Sequence, residues 1–398
     1  MFPESGNRAI DKLLIFVGRS YSVRALSLEK DKTKTKKLSK IRKVCVIYDV
    51  NIGDLVILGP AATEISGILG PEARIDCIAG KKAAELVREI PGVTEIFPVY
   101  RHVPYPSAEE VEKINEIISA EKYDLIFNFS PFIKNKDLES GRTPVIDFRG
   151  LVPVLAEILS DPNKVGHISF GFTAFIREIF GQAGEPRRTN SAKPILVIQK
   201  EAVREAEEFL QKSHVRREKP LIIFNLATAS RFTEIPESLK KSLLGGLSEL
   251  PATVLIYPDK SFSEGDPSEN IKMIPKNFSL PAFAALCDKA EFFLTGDTGS
   301  MHIAAAQKFF SGAETPARNR TAVFSIFGAT PARLYGYDSI RPGFLPADQD
   351  AVSRVYMKDT GCPSLFYMNK NSIRHDKAED FFKGIEAEKI ISDIRSLL

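Results

Sequence analysis

Short, continuously apolar runs alternate with segments of helical spacing along most of this chain. The runs in the first half are rich in β-branched and aromatic residues and lie at 44–48, 75–79, 96–99, 125–129 and 145–148. The segments between them, which include 56–69, 81–89 and 108–120, repeat their apolar residues every three or four positions. Strands that are apolar on both faces are typical of a sheet covered by helices on both sides. The first half therefore predicts βαβ units on a parallel sheet, an α/β fold.

A polar break at 181–194, rich in glycine, proline and basic residues, separates this pattern from a second copy of it. Apolar β-rich runs resume at 221–225, 253–257, 292–295 and 323–327, with helical segments between them that include 300–310. A length of 398 residues is also more than one hydrophobic core usually supports. We therefore predict two α/β domains facing a cleft, with ligands bound beyond the carboxyl ends of the strands. The predicted segments are an N-terminal extension at 1–43, a first domain at 44–185, a linker and helix at 186–217, a second domain at 218–380 and a closing helix at 381–398.

Positive charge is concentrated near the N-terminus. The whole chain has a net charge of +3, and residues 30–43 hold eight basic residues against one acidic residue, so the remainder is mildly acidic. Two interpretations of 30–43 stay open. The segment is either a mobile, solvated linker or a basic segment that binds an anionic surface such as lipid head groups. Attraction to such a surface contributes about 1 kcal/mol per basic residue. Few aromatic residues are interleaved with these charges, which argues against nucleic acid as a partner.

Several common classes of protein find no support in the sequence. No stretch approaches the roughly 20 apolar residues of a membrane span, and the N-terminus lacks the basic-then-apolar order of a secretory signal. The four cysteines form no CxxC pair, and no acidic or histidine cluster has the spacing of metal ligands. No GxGxxG follows the first strand, which disfavours a dehydrogenase. We therefore predict a cytoplasmic protein without a bound metal.

The strongest candidate site is the turn that follows the apolar run at 292–295. Gly296 and Gly299 let the backbone approach a ligand closely. The helix that begins there presents free N–H groups and a partial positive charge, which suits a diphosphate. Asp297 could accept hydrogen bonds from ligand hydroxyl groups. The alternative interpretation is a capping Asp/Thr pair with a packing glycine.

Two further turns follow apolar runs. Gly53-Asp54 comes after the first run, and its carboxylate could act as a general base or only cap a helix. Gly328 and Thr330 follow the run at 323–327 and could offer backbone and hydroxyl donors to a phosphate. The alternative there is a plain turn in which Pro331 opens a helix.

These three turns, in this order, resemble the ADP-heptose:lipopolysaccharide heptosyltransferase family, which consists of glycosyltransferases of the GT-B type. The matching places are held by Gly53-Asp54, by Asp297-Thr298-Gly299 with His302, Ala305 and Ala306, and by Gly328-Ala329-Thr330-Pro331. The resemblance runs from about residue 43 to the end of the chain. It implies a GT-B fold, in which two Rossmann-like domains face a cleft and a C-terminal helix closes the structure.

The resemblance also implies an activity. It is the inverting, metal-independent transfer of a sugar, heptose in the family, from a nucleotide-diphosphate donor to a glycan or glycolipid hydroxyl, with Asp54 as general base. Donor contacts would come from three turns of the second domain, at Thr228, Arg231, Asp297, Thr298, Gly299, Ser300, Met301, His302, Gly328 and Thr330. ADP-heptose would be a co-substrate, and no cofactor is expected. The enzyme would be cytoplasmic, and residues 30–43 could hold it at the inner face of the membrane.

The sequence departs from the family pattern in two places. The family usually has a Lys in the first loop of the second domain, where it meets the donor phosphates. Thr233 takes that place here, and Arg231 could supply the charge from a shifted position. Residues 308–321 are longer than the turn that the family prefers. Two alternatives therefore stay open, a GT-B-like scaffold that binds a nucleotide or glycan without catalysis and a nucleotide-sugar epimerase.

Overall fold

The chain folds into two compact units, Met1–Val197 and Ile198–Leu398. The computed structural model describes residues 29–30, 32, 40–48, 52–87, 90–100, 106–130, 133–161, 163–181, 193–216, 218–228, 233–259, 269–311, 321–328, 330, 332–346, 352–358 and 375–398. The boundary between the units falls inside the segment 186–217 that the sequence predicts as linker and helix.

Unit 1 is built on a parallel sheet with strand order β3-β2-β1-β4-β5. The strands are β1 (Lys43–Tyr48), β2 (Arg74–Gly80), β3 (Glu95–Tyr100), β4 (Leu125–Asn128) and β5 (Val145–Asp147). The helices are α1 (Ile52–Leu69), α2 (Lys81–Val87), α3 (Ala108–Glu121), α4 (Leu151–Ser160) and α5 (Ile168–Ile179). The predicted βαβ pattern is confirmed, and the strand order reverses between β1 and β4, which makes this pair the switch point of the sheet.

Unit 2 repeats this plan with one more strand, in the order β13-β12-β10-β7-β8-β9, again all parallel. The strands are β7 (Leu221–Asn225), β8 (Thr253–Tyr257), β9 (Ile271–Met273), β10 (Phe292–Gly296), β12 (Ala322–Phe327) and β13 (Arg354–Met357), and β6 (Ile195–Ile198) pairs separately with β11 (Gln307–Phe310). The helices are α6 (Lys200–Lys212), α7 (Glu237–Ser248), α8 (Leu280–Asp288), α9 (Gly299–Ala305), α10 (Ala332–Tyr335) and α11 (Ala387–Arg395). Read from β7, this is the 3-2-1-4-5-6 order of a dinucleotide-binding fold, with its switch point between β7 and β10.

The predicted helix at 300–310 is wrong in its second half. Helix α9 ends at Ala305, and β11 begins two residues later and pairs with β6. Lys308 stabilises this break, because its buried ammonium group donates to the carbonyl oxygens of Ala304 (2.9 Å) and Ala306 (2.8 Å). A cation at a helix C-terminus satisfies carbonyl groups that the helix leaves open and complements the helix dipole.

Part of the predicted N-terminal extension is held against unit 1. The Glu29 carboxylate is buried and accepts a hydrogen bond from the Asp147 N–H (2.9 Å). Lys32 donates to the Val145 carbonyl (2.9 Å), and Lys30 pairs with Glu178 of α5 (2.7 Å). These contacts contradict a mobile, solvated linker at this point. Residues 33–39 of the basic run lie outside the described residues.

Helix α1 is the described helix that comes nearest to a membrane span, since its length and composition alone would allow it to cross one. In unit 1, however, 56 % of it is buried, against the sheet and against α5. A mostly buried apolar helix of this kind is typical of the core of an α/β protein.

The C-terminal helix packs within unit 2. Ile390, Ile391 and Ile394 of α11 lie in the same hydrophobic cluster as strands β7, β8 and β10. The contact with α7 is close, because a Cβ on Gly246 would lie 2.6 Å from the Ile391 side chain. The predicted closing helix at 381–398 thus contributes α11 to the core of the second unit.

Candidate functional site

The carboxyl edge of the second sheet brings together the turns that the sequence singles out in unit 2. Strand β10 lies between β7 and β12, with Thr295 opposite Asn225 on one side and Gly296 opposite Ile326 on the other. The loops that carry Thr228, Asp297 and Thr330 therefore leave the sheet side by side. Sheets of this type bind ligands at this edge, at the point where the strand order reverses.

Asp297 lies directly beyond the end of β10 and is half-buried. Loss of surrounding water raises the pKa of its carboxyl group to about 6, and a hydrogen bond from the Thr330 hydroxyl partly opposes this shift. The residue at the N-cap of α9 is Thr298 rather than Asp297, and the Thr298 side chain makes no capping bond. The geometry therefore does not support the capping interpretation of Asp297.

Asn225, the last residue of β7, holds this edge together. Its buried side-chain N–H₂ donates to the hydroxyl groups of Thr295 (2.9 Å) and Thr298 (3.1 Å) and to the Ala227 carbonyl (3.1 Å). Its Oδ1 atom has no hydrogen-bond partner among the described residues. Sequence reasoning missed this residue, although a polar side chain that ends an apolar run at a switch point was the available signal.

Gly296 is required by the chain itself. A Cβ at this position would lie 2.9 Å from the Thr233 carbonyl oxygen and 3.4 Å from the Ile235 side chain. The expectation that Gly296 makes room for a ligand is therefore corrected, since the loop after β7 takes that space. The base of this loop is also tied by a hydrogen bond of 2.7 Å between the Thr228 and Thr233 hydroxyl groups.

Two of the predicted donor residues lie in the first part of α9 and point into the protein. Met301 and His302 are buried, and the His302 Nδ1 atom lies 2.9 Å from the Tyr337 hydroxyl. The Met301 N–H donates to the Thr298 carbonyl (3.1 Å), so it is already engaged within the turn. Gly299 and Ser300 are half-buried at the start of the helix. Donor contacts of these four residues stay predictions.

Three of the predicted positions in the remaining loops have less structural context. Gly328 follows β12 directly and is half-buried, as is Thr228 after β7. Arg231 lies outside the described residues, and so do Ala329 and Pro331 on either side of Thr330. The structure thus assembles Thr228, Asp297, Thr298 and Thr330 at one edge and leaves Arg231 a prediction.

In unit 1, Asp54 occupies the comparable edge of the other sheet. It is the third residue of α1, which follows β1 at the switch point between β1 and β4, and it is half-buried. A carboxylate in the first turn of a helix is favoured by the helix dipole. Its position inside the helix is not that of an N-cap residue.

Metal ligation receives no support in the described ranges. No group of three or more His, Cys, Asp or Glu side chains there could hold a metal ion. Cys45, Cys77 and Cys287 are free, buried thiols in line with their apolar sequence context, and burial is the main reason why the pKa of each lies above its ordinary value.

Comparisons with known proteins bear on both the motif and the fold. A family model described as glycosyltransferase family 9 (heptosyltransferase) matches residues 262–309, which include Asp297 and the first turns of α9. No curated protein sequence matches the chain.

Solved structures match over most of the chain. A family 9 glycosyl transferase from Veillonella parvula DSM 2008 has a TM-score of 0.59 at 15 % identity, covering 89 % of this chain and 97 % of that one. ADP-heptose LPS heptosyltransferase II of E. coli has a TM-score of 0.54 at 15 % identity, with coverage of 89 % and 98 %. E. coli heptosyltransferase WaaC, solved with ADP, has a TM-score of 0.55 at 14 % identity, with coverage of 89 % and 100 %.

At these identities the structural matches show a shared fold, and the family model adds the segment around Asp297. The resemblance to the heptosyltransferases of glycosyltransferase family 9 is therefore confirmed at residues 262–309, and the chain shares the GT-B fold of these solved structures.

Proposed function

We propose that this protein transfers a sugar, heptose by its resemblance, from a nucleotide-diphosphate donor to a hydroxyl group of a glycan or glycolipid. The observation that carries the proposal is Asp297. It is a half-buried carboxylate with a pKa raised to about 6, at the switch point of the second sheet and inside the matched family segment. A partly desolvated carboxylate favours a ligand that donates hydrogen bonds from hydroxyl groups, as a sugar does.

The donor diphosphate would lie over the loops around Asp297. Backbone N–H groups near Gly299, Ser300 and Gly328 would face its oxygens, and Arg231 would supply a positive charge. These groups would stabilise the negative charge that develops on the leaving nucleoside diphosphate. ADP-heptose is the donor we expect, because the family match covers this segment and E. coli WaaC was solved with ADP.

The acceptor would be activated by Asp54. Its carboxylate would take the proton from an acceptor hydroxyl as that oxygen attacks the anomeric carbon and the diphosphate leaves. A single displacement inverts the anomeric configuration and requires no covalent glycosyl-enzyme intermediate. A positioned general base contributes about 10²–10⁴-fold in rate. No metal or other cofactor takes part in this scheme.

The experiment is a transfer assay with ADP-heptose and a panel of saccharide and glycolipid acceptors, in which the released ADP is measured. Wild-type protein should release ADP in proportion to glycosylated product, and NMR of the product should show the inverted anomer. Asp54→Asn should lower kcat by about 10²–10⁴-fold, because the general base is lost while the donor site is intact. Glu72→Gln, which neutralises an exposed carboxylate of the same unit, is the matched control and should leave kcat unchanged.

Other outcomes separate the alternatives. Binding of ADP-heptose without release of ADP, whatever the acceptor, would favour a non-catalytic scaffold. Conversion of the donor sugar in the absence of any acceptor would favour an epimerase. Equal kcat for Asp54→Asn and the wild type would remove Asp54 from the mechanism.

We further expect the reaction on the cytoplasmic side of a membrane, with residues 30–43 directed to anionic head groups. Lys30, Lys32 and Lys43 have ion-pair partners on the protein, so the remaining basic residues of the run would carry the attraction. At low salt the protein should co-sediment with vesicles rich in phosphatidylglycerol and should stay in the supernatant with vesicles of pure phosphatidylcholine. Equal sedimentation with both would contradict this orientation.

A further inference from the structure

A buried lysine lies beside the candidate site without belonging to any predicted motif. Lys240, in the first turns of α7, has a side chain that is only 4 % exposed. Its Nζ atom donates to Asp259 Oδ2 (2.5 Å) and to Glu234 Oε1 (3.2 Å), and Glu237 Oε2 lies 4.0 Å away. A buried ammonium group with three carboxylates around it is rare enough to require an explanation.

The two nearest carboxylates come from different loops at the carboxyl edge of the second sheet. Glu234 belongs to the loop at 226–236 that follows β7, which we name the donor loop. Asp259 follows β8, the strand paired with β7. Lys240 therefore ties the donor loop to both the neighbouring loop and helix α7.

On its other side the donor loop rests on the strand that carries Asp297. The Thr233 carbonyl and the Ile235 side chain lie where a Cβ of Gly296 would be. The hydrogen bond between the Thr228 and Thr233 hydroxyl groups then joins the two described parts of the donor loop. Thr233 is the neighbour of Glu234 in the chain and contacts Gly296, the residue before Asp297. A displacement of Glu234 would therefore shift Gly296 through Thr233 alone.

Stability alone does not account for this lysine. A cation near a helix N-terminus is disfavoured by the helix dipole, and burial adds a desolvation cost. Burial opposes the charged form of Lys240, yet the hydrogen bonds and charges of Asp259 and Glu234 more than offset it and keep its pKa above the ordinary value. Buried ion pairs of this kind add little net stability, and their best-supported role is to fix one arrangement among several.

We propose that Lys240 is a positioning residue that fixes the donor loop against Gly296 and thereby sets the affinity of the site for the donor nucleotide. Lys240 touches no reacting atom. It acts through Glu234 and Thr233, and its effect on the nucleotide rests on the function proposed above.

The test compares Lys240→Met with Lys241→Met. Lys241 is 75 % exposed, so its variant removes the same charge from the adjacent position without breaking the buried cluster. Lys240→Met should speed amide hydrogen exchange at 233–235 and 296–298 by about tenfold or more, and Lys241→Met should not. ADP affinity, measured by calorimetry, should fall by about tenfold for Lys240→Met and recover substantially in Lys240→Arg, which retains the cation.

Equal exchange in the Lys240→Met and Lys241→Met proteins would overturn the proposal, as would equal ADP affinity. If Lys240→Met does not fold, Glu234→Gln breaks one ion pair at a 42 % exposed side chain and should give an intermediate increase in exchange; no increase would overturn the proposal. If the wild type binds no ADP, the proposed function fails, while the exchange comparison still decides whether Lys240 fixes the donor loop.

Discussion

Each sheet of this protein ends a strand at its switch point with a buried asparagine, Asn128 on β4 and Asn225 on β7, and the two side chains bond differently. Asn128 donates to the Ile133 carbonyl (2.9 Å) and to Asn135 Oδ1 (2.8 Å), and its own oxygen accepts from the Ser130 N–H (3.2 Å). All of these partners lie in the loop that follows its own strand. Asn128 therefore stabilises the loop that follows β4.

Asn225 instead spans two strands. Its side-chain N–H₂ reaches Thr295 and Thr298 on and beyond β10, and its oxygen has no partner within the described residues. Because an unsatisfied buried acceptor costs free energy, it favours a ligand or a water that donates to it. The two switch points thus differ: the asparagine on β4 belongs to a closed framework in unit 1, and the asparagine on β7 belongs to the open candidate binding edge of unit 2.

The largest effect we expect within this comparison is on stability. Asn128→Ala should lower the free energy of unfolding by about 2–4 kcal/mol, since it leaves several buried partners unpaired. Asn225→Ala should cost about 1–2 kcal/mol, because Thr295 and Thr298 also hydrogen-bond each other at 3.2 Å. Chemical denaturation measures both losses.

Ligand binding should reverse that order. Asn225→Ala should weaken ADP binding in a calorimetric titration, and Asn128→Ala should leave it unchanged. Equal effects of the two substitutions on ADP affinity would break the distinction between framework and binding edge.

A smaller effect concerns one glycine in each unit. A Cβ on Gly296 would meet a backbone oxygen at 2.9 Å, whereas a Cβ on Gly59 of α1 would meet a side-chain atom, the Cγ2 methyl group of Ile90, at 3.1 Å. Gly296→Ala should therefore destabilise the protein by about 1–3 kcal/mol. Gly59→Ala should stay within about 1 kcal/mol of the wild type, because alanine also favours the helix. Thermal unfolding of both variants checks the difference, and a Gly59→Ala loss as large as that of Gly296→Ala would contradict it.

The smallest effect is a pH dependence that we assign to unit 2. The pKa of Asp297 is raised to about 6 in the folded chain, so its contribution to stability is complete below its unfolded pKa and is lost as the pH rises through 6. Asn cannot ionise, so Asp297→Asn should become more stable than the wild type by about 1–2 kcal/mol above that pH, with little difference near pH 4. Denaturation at a series of pH values measures this. A difference that does not change with pH would show that Asp297 does not titrate in this range.

Much of this architecture can be predicted from the chain because parallel strands buried on both faces leave long apolar runs. The turns at Asp297 and Thr330 and the helix start at Asp54 stand out because each follows such a run. Asn225 does not stand out in the sequence, since it ends an apolar run and is not part of a glycine turn. Its importance depends on the pairing of β7 with β10. Pairing between strands distant in sequence is not written in local periodicity.

The remaining misses have the same physical origin. The segment after Ala305 has helical spacing, and only its pairing with β6 turns it into a strand. Lys240 reads as one of two adjacent surface lysines, yet Asp259 and Glu234 bury it. In the sequence Glu29 belongs to a polar N-terminal segment. In the structure its carboxylate is buried and accepts a hydrogen bond from the Asp147 N–H.

The packing of α11 on α7 has a consequence for how unit 2 folds. Ile390, Ile391 and Ile394 complete the hydrophobic cluster of unit 2, and α11 (Ala387–Arg395) contacts α7 (Glu237–Ser248), which lies far from it in the chain. Contacts between residues that are distant in sequence form slowly, because a long stretch of chain must be closed before they can form. The core of unit 2 therefore closes late in folding, and until α11 docks its partners leave an apolar cluster exposed to water.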